Sequence, residues 1–66
     1  MNIKTEHIRR LKNGDVKGHF IMDDRFKSKV KFDCTKAGWN QWNAPADVLR
    51  VTMSRVEELQ NEVYGI

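Results

Sequence analysis

The sequence predicts a small α+β domain of α-β-β-α order, in which an antiparallel β-hairpin packs against a long amphipathic C-terminal helix. Three observations predict it. Apolar and polar residues alternate in two segments, 16–23 and 26–34, apolar residues recur at helical spacing after Pro45, and 66 residues suffice for one domain, spanning 1–66.

The opening segment, Ile3 to Asn13, reads as a short helix. Ile3, Ile8 and Leu11 share a broad face, Asn2 or Thr5 supplies a cap, and Asn13-Gly14 supplies a stop. Arg9, Arg10 and Lys12 in its last turns suit the negative end of the helix dipole.

The hairpin follows. In Val16–Asp23, Val16, Gly18, Phe20 and Met22 share one face and Lys17, His19 and Ile21 the other. In Phe26–Cys34, Phe26, Ser28, Val30, Phe32 and Cys34 alternate with Lys27, Lys29, Lys31 and Asp33. Period-2 alternation marks half-buried strands, and the polar Asp23-Asp24-Arg25 stretch suits the connection between them. Gly18, inside a strand, marks a bulge or a close backbone approach.

Thr35 to Ala44, with Gly38, two asparagines and two tryptophans, reads as a loop. Asn43 is the expected cap and Pro45 the expected opening of a helix running to Tyr64. Its apolar side holds Ala46, Val48, Leu49, Met53, Val56, Leu59, Val63 and Tyr64, with Val51 straying from it, and Gly65 ends it.

Charge is unevenly divided. The chain carries a net +3, but residues 1–31 hold nine basic groups against four acidic, and the remainder three against five. The N-terminal half is therefore the one that would meet an acidic surface. Cys34 is the single cysteine, which excludes an intrachain disulfide and suits a reducing compartment. No apolar run is long enough to span a bilayer, so the expectation is a cytoplasmic protein without a membrane partner.

Catalytic machinery is not evident. Cys34, His7 and His19 lack the paired spacing of zinc ligands, and His19 and Cys34 fall on opposite hairpin faces. The glycines form no phosphate-binding loop. The expectation is a non-enzyme with no metal and no cofactor.

Two surfaces could bind. Trp39 and Trp42, with Val51, suit an anchor for a protein partner, and the leading expectation is a small protein that regulates or inhibits such a partner. The alternative is a nucleic-acid-binding module using Lys17, Arg25, Lys27, Lys29 and Lys31 of the hairpin with Arg9, Arg10 and Lys12. Single-strand readers interleave aromatic rings with such basic groups, and the hairpin's lysine face alone has none. A small structural subunit of a homo-oligomer is the third reading. A small domain with spare apolar surface is as compatible with a homodimer as with a monomer.

Overall fold

The structure is a computed structural model that describes residues 2–23, 26 and 28–65. Among the described residues, strands β1 (Ile3–Arg10), β2 (Val16–Met22), β3 (Val30–Thr35) and β4 (Gly38–Trp42) are followed by one helix, α1 (Ala46–Tyr64). The strands form one antiparallel sheet in sequential order, β1-β2-β3-β4. The fold is α+β, with the expected hairpin packed against the expected long C-terminal helix.

Two segments differ from the sequence reading. Ile3 to Asn13 is not a helix: its first eight residues are β1, paired with β2 from Ile3↔Met22 to Arg10↔Val16. A helix this short has little stability of its own, whereas β2 offers a full row of unpaired backbone groups along its length. Asn13-Gly14 still reverses the chain, but between strands. Gly14 takes φ 92, and Asn13 Oδ1 accepts from the Asp15 amide at 3.0 Å.

The second difference is Thr35 to Ala44, which is not a loop. A two-residue turn at Lys36-Ala37 leads into β4, which pairs with β3 from Thr35↔Gly38 to Lys31↔Trp42. The Thr35 hydroxyl braces this turn, accepting from the Ala37 amide and donating to the Gly38 carbonyl, both at 3.2 Å.

Strand β3 starts at Val30 rather than Phe26, although Phe26 still packs against the core. Asp24, Arg25 and Lys27 lie outside the described residues.

The hydrophobic core lies on one face only. Val16, Phe20 and Met22 of β2 and Val30, Phe32 and Cys34 of β3 meet Val48, Val56 and Leu59 of α1. The Phe20 and Phe32 rings stack with centroids 4.7 Å apart. Strands alternate their side chains between faces, so covering one face of the sheet with α1, which lies across β3 and β4, leaves the other open.

The helix is seated differently from its apolar arc. Thr52 and Gln60 are buried, whereas Ala46 and Met53 are exposed. Hydrogen bonds account for the buried polar pair. Gln41 of β4 donates to the Leu49 carbonyl at 2.6 Å and accepts from the Thr52 hydroxyl, and Gln60 donates to the Thr35 carbonyl at 3.0 Å. Among the described residues no buried side-chain polar atom lacks a partner.

The helix starts at Pro45 without a side-chain cap. Asn43, the expected cap, is instead in the left-handed conformation at φ 71 and donates to the Lys29 carbonyl at 2.8 Å, tying the end of β4 to the start of β3. Gly65 ends the helix as expected, at φ 67, with its amide on the Asn61 carbonyl at 2.9 Å.

Candidate nucleic-acid interface

The open face takes its residues from the pleat. On β2 the side chains opposite in sense to the core residues Val16, Phe20 and Met22 are Lys17, His19 and Ile21. On β3 they are Lys31 and Asp33, alternating with buried Val30, Phe32 and Cys34. The sheet register then extends this face to both edge strands. His7 lies opposite His19, His19 opposite Lys31, and Lys31 opposite Trp42, forming one row across all four strands. At ordinary strand spacing the row is about 14 Å long. The adjoining row is Arg9, Lys17, Asp33 and Asn40.

The first row, with Arg9 and Lys17 of the second, lines a groove of about 750 Å³. At one end the imidazoles of His7 and His19 stack, with centroids 4.5 Å apart and planes 21° from parallel. At the other, the Trp42 side chain is 39% exposed, which leaves ring surface free for contact. Lys31 stands between the two aromatic ends.

The electrostatics favour an anion. Arg9, Lys17 and Lys31 are in no ion pair among the described residues. Glu6 also lines the groove, but its carboxylate is held by Arg55 of α1 through paired bonds of 2.8 and 3.1 Å. Asp33 is the carboxylate that shares the basic rows. Partial burial, and then the nearby charges of His7, Lys29 and Lys31, push the His19 pKa below its ordinary value of 6.5. The helix presents a net negative charge on the far side of the molecule, where Asp47, Glu57, Glu58 and Glu62 are exposed together with Arg50, and Arg55 pairs with Glu58 and Glu62.

The sequence-predicted residues are thus partly gathered and partly dispersed. Arg9, Lys17 and Lys31 come together on the open face. Lys29 precedes β3 and bears on His19. Arg10 shares the alternation of Glu6 and Ile8 rather than that of Arg9, and Lys12 sits in the β1–β2 turn. Arg25 and Lys27 lie outside the described residues.

Trp39, Trp42 and Val51 do not share a surface. Trp39 and Trp42 are three residues apart on one strand and so point to opposite faces: Trp39 packs against the core and Trp42 onto the open face. Val51, 41% exposed, is on α1.

Three residues of this face escaped the sequence reading in their role. His7 falls in the segment that reads as a helix and Trp42 in the one that reads as a loop, so the sequence alone joins neither to the lysine face. The available signal was the weak alternation Thr5-His7-Arg9 against Glu6-Ile8-Arg10, and the Trp-Asn-Gln-Trp spacing in β4. His19 was assigned to the correct face but without its partner.

Cys34 takes no part in this site. It is fully buried on the core face, its Sγ 3.8 Å from the Val56 carbonyl, and burial followed by the charge of Asp33 raises its pKa. No group of three His, Cys, Asp or Glu residues among the described residues is arranged to hold a metal ion. No helix among them is long and apolar enough to cross a membrane. No protein-family model, curated protein or solved structure matches this chain.

Proposed function

We propose that this protein is a non-catalytic nucleic-acid-binding module that uses the open face of its sheet. The observation that carries this reading is the single row His7, His19, Lys31 and Trp42, flanked by Arg9 and Lys17. Basic groups neutralise backbone phosphates and release their counterions. Aromatic faces between them offer stacking surface to bases. The opposite, acidic surface of α1 would repel phosphates and so orient the chain on its ligand.

A protein-partner reading through Trp39, Trp42 and Val51 has less support, since these residues lie on separate surfaces. The deciding experiment is a fluorescence-anisotropy titration of labelled DNA and RNA with the whole protein, at low and at physiological salt. Binding that weakens steeply with salt, and is abolished by the double reversal Lys17→Glu/Lys31→Glu in a folded variant, is the expected outcome. Absence of binding even at low salt would overturn the proposal.

A further inference from the structure

We infer that the ligand of the open face is a single strand rather than a duplex, with bases stacked at the two aromatic ends of the groove and phosphates held between and beside them. This rests on the nucleic-acid reading above and narrows it.

The first ground is shape. Reading a duplex in its major groove requires an element that projects into a cleft about 12 Å wide. The basic groups here line a recess: Arg9, Lys17 and Lys31, with His7, His19 and Trp42, border a groove of about 750 Å³. Helix α1 is not available for the task, because its apolar side is seated on β3 and β4 and its exposed side carries Asp47, Glu57, Glu58 and Glu62 against Arg50. A flexible chain can enter a recess that a rigid convex duplex cannot.

The second ground is ring accessibility. Trp42 is 39% exposed on the basic face. A ring in that position gains by stacking only when the base opposite it is unpaired and free of its own neighbours. Along a duplex, base faces are already stacked and only edges and phosphates meet a protein.

The third ground is the order of groups along the row. The stacked imidazoles of His7 and His19 lie at one end, Lys31 in the middle and Trp42 at the other end. Ring, cation, ring, over about 14 Å, is the interleaving of aromatic and basic groups found in grooves that track a single strand. Arg9 and Lys17 in the adjoining row extend the phosphate track alongside. Asp33, in that same row, lies opposite Lys17 and Asn40 in the register, and as an acceptor-only carboxylate it is suited to a base amino group rather than a phosphate.

The test compares, with the unmodified protein, a labelled single strand of about 16 nucleotides, the upper end of site sizes for one small domain, with the same strand annealed to its complement. The expected result is binding about tenfold or more tighter to the single strand. Trp42→Ala should lower single-strand affinity by about tenfold and leave residual duplex binding unchanged, whereas Trp42→Phe should restore most of it, as expected for one lost stacking platform. Equal or tighter binding of the duplex would overturn the inference while leaving the nucleic-acid reading intact. So would undiminished single-strand binding by Trp42→Ala. Binding of neither strand would instead remove the reading on which it rests.

Discussion

A side chain at Gly18 would collide with the backbone at His7: a Cβ built there stands 1.9 Å from the His7 carbonyl oxygen and 3.1 Å from the Ile8 Cα. Strand β1 therefore approaches β2 closely because position 18 has no side chain. The same approach places His7 against His19. Both neighbours in that contact are backbone atoms, so no side-chain rotation relieves it. Gly18→Ala should destabilise the protein by about 2–3 kcal/mol, with β1 amides losing hydrogen-exchange protection before those of β2 and β3. Wild-type stability and protection in this variant would refute the close approach.

Salt dependence should report the phosphate contacts one at a time. For single strands each neutralised phosphate contributes about 0.7 to the slope of log affinity against log salt concentration. Lys31→Gln and Lys17→Gln should each reduce the slope by about that amount, and Lys36→Gln, in the β3–β4 turn, should not. Anisotropy titrations over a salt series provide the measurement.

Acid should weaken the fold. His19 has a folded-state pKa below its ordinary 6.5, chiefly through partial burial and then through His7, Lys29 and Lys31. Below pH 6.5 the unfolded chain takes up a proton that the folded chain resists, so stability falls as pH drops through that value and levels off below the lowered pKa. His19→Gln should flatten this decline in denaturant midpoints measured between neutral and acid pH. A bound polyanion reverses the sign, because phosphate favours the imidazolium, and affinity should rise over the same interval. Affinity independent of pH there would show that His19 lies away from any phosphate.

The polar contact between sheet and helix gives a separate stability prediction. The Thr52 hydroxyl is buried and donates to Gln41 Oε1, while Gln41 Nε2 reaches the Leu49 carbonyl at 2.6 Å. Thr52→Val keeps the shape but leaves the Gln41 oxygen without its donor, at a cost of about 1–3 kcal/mol. Because the two residues share one contact, adding Gln41→Leu should cost less than its effect alone, a coupling that a double-mutant cycle in urea would read.

Reading β1 and β4 from the chain fails for a common reason. Ile3, Ile8 and Leu11 are spaced as well for a helix as the segment's alternation is for a strand, and the exposed outer face of β1 blurs that alternation. In β4, Gly38 and Asn40 disfavour a strand and offset the preference of Trp39 and Trp42 for one. Each became a strand because a neighbour presented unpaired backbone groups, and that pairing is invisible locally. Half of the candidate site, His7, Arg9 and Trp42, stands on these two strands.

What the sequence by itself determined is what short-range periodicity and backbone chemistry encode: the alternating faces of β2 and β3, the lysine side and the core side among them, the helix from Pro45 to its glycine stop, and the uneven charge. What only the tertiary structure decided is which residues meet across strands. The stack of His7 on His19, the placement of Trp42 opposite Lys31 and the bond from Gln41 to Thr52 depend on register between segments distant in sequence. A shift of one residue in that register would turn each side chain to the other face, so the composition of the groove follows from pairing and burial together, and no window along the chain contains it.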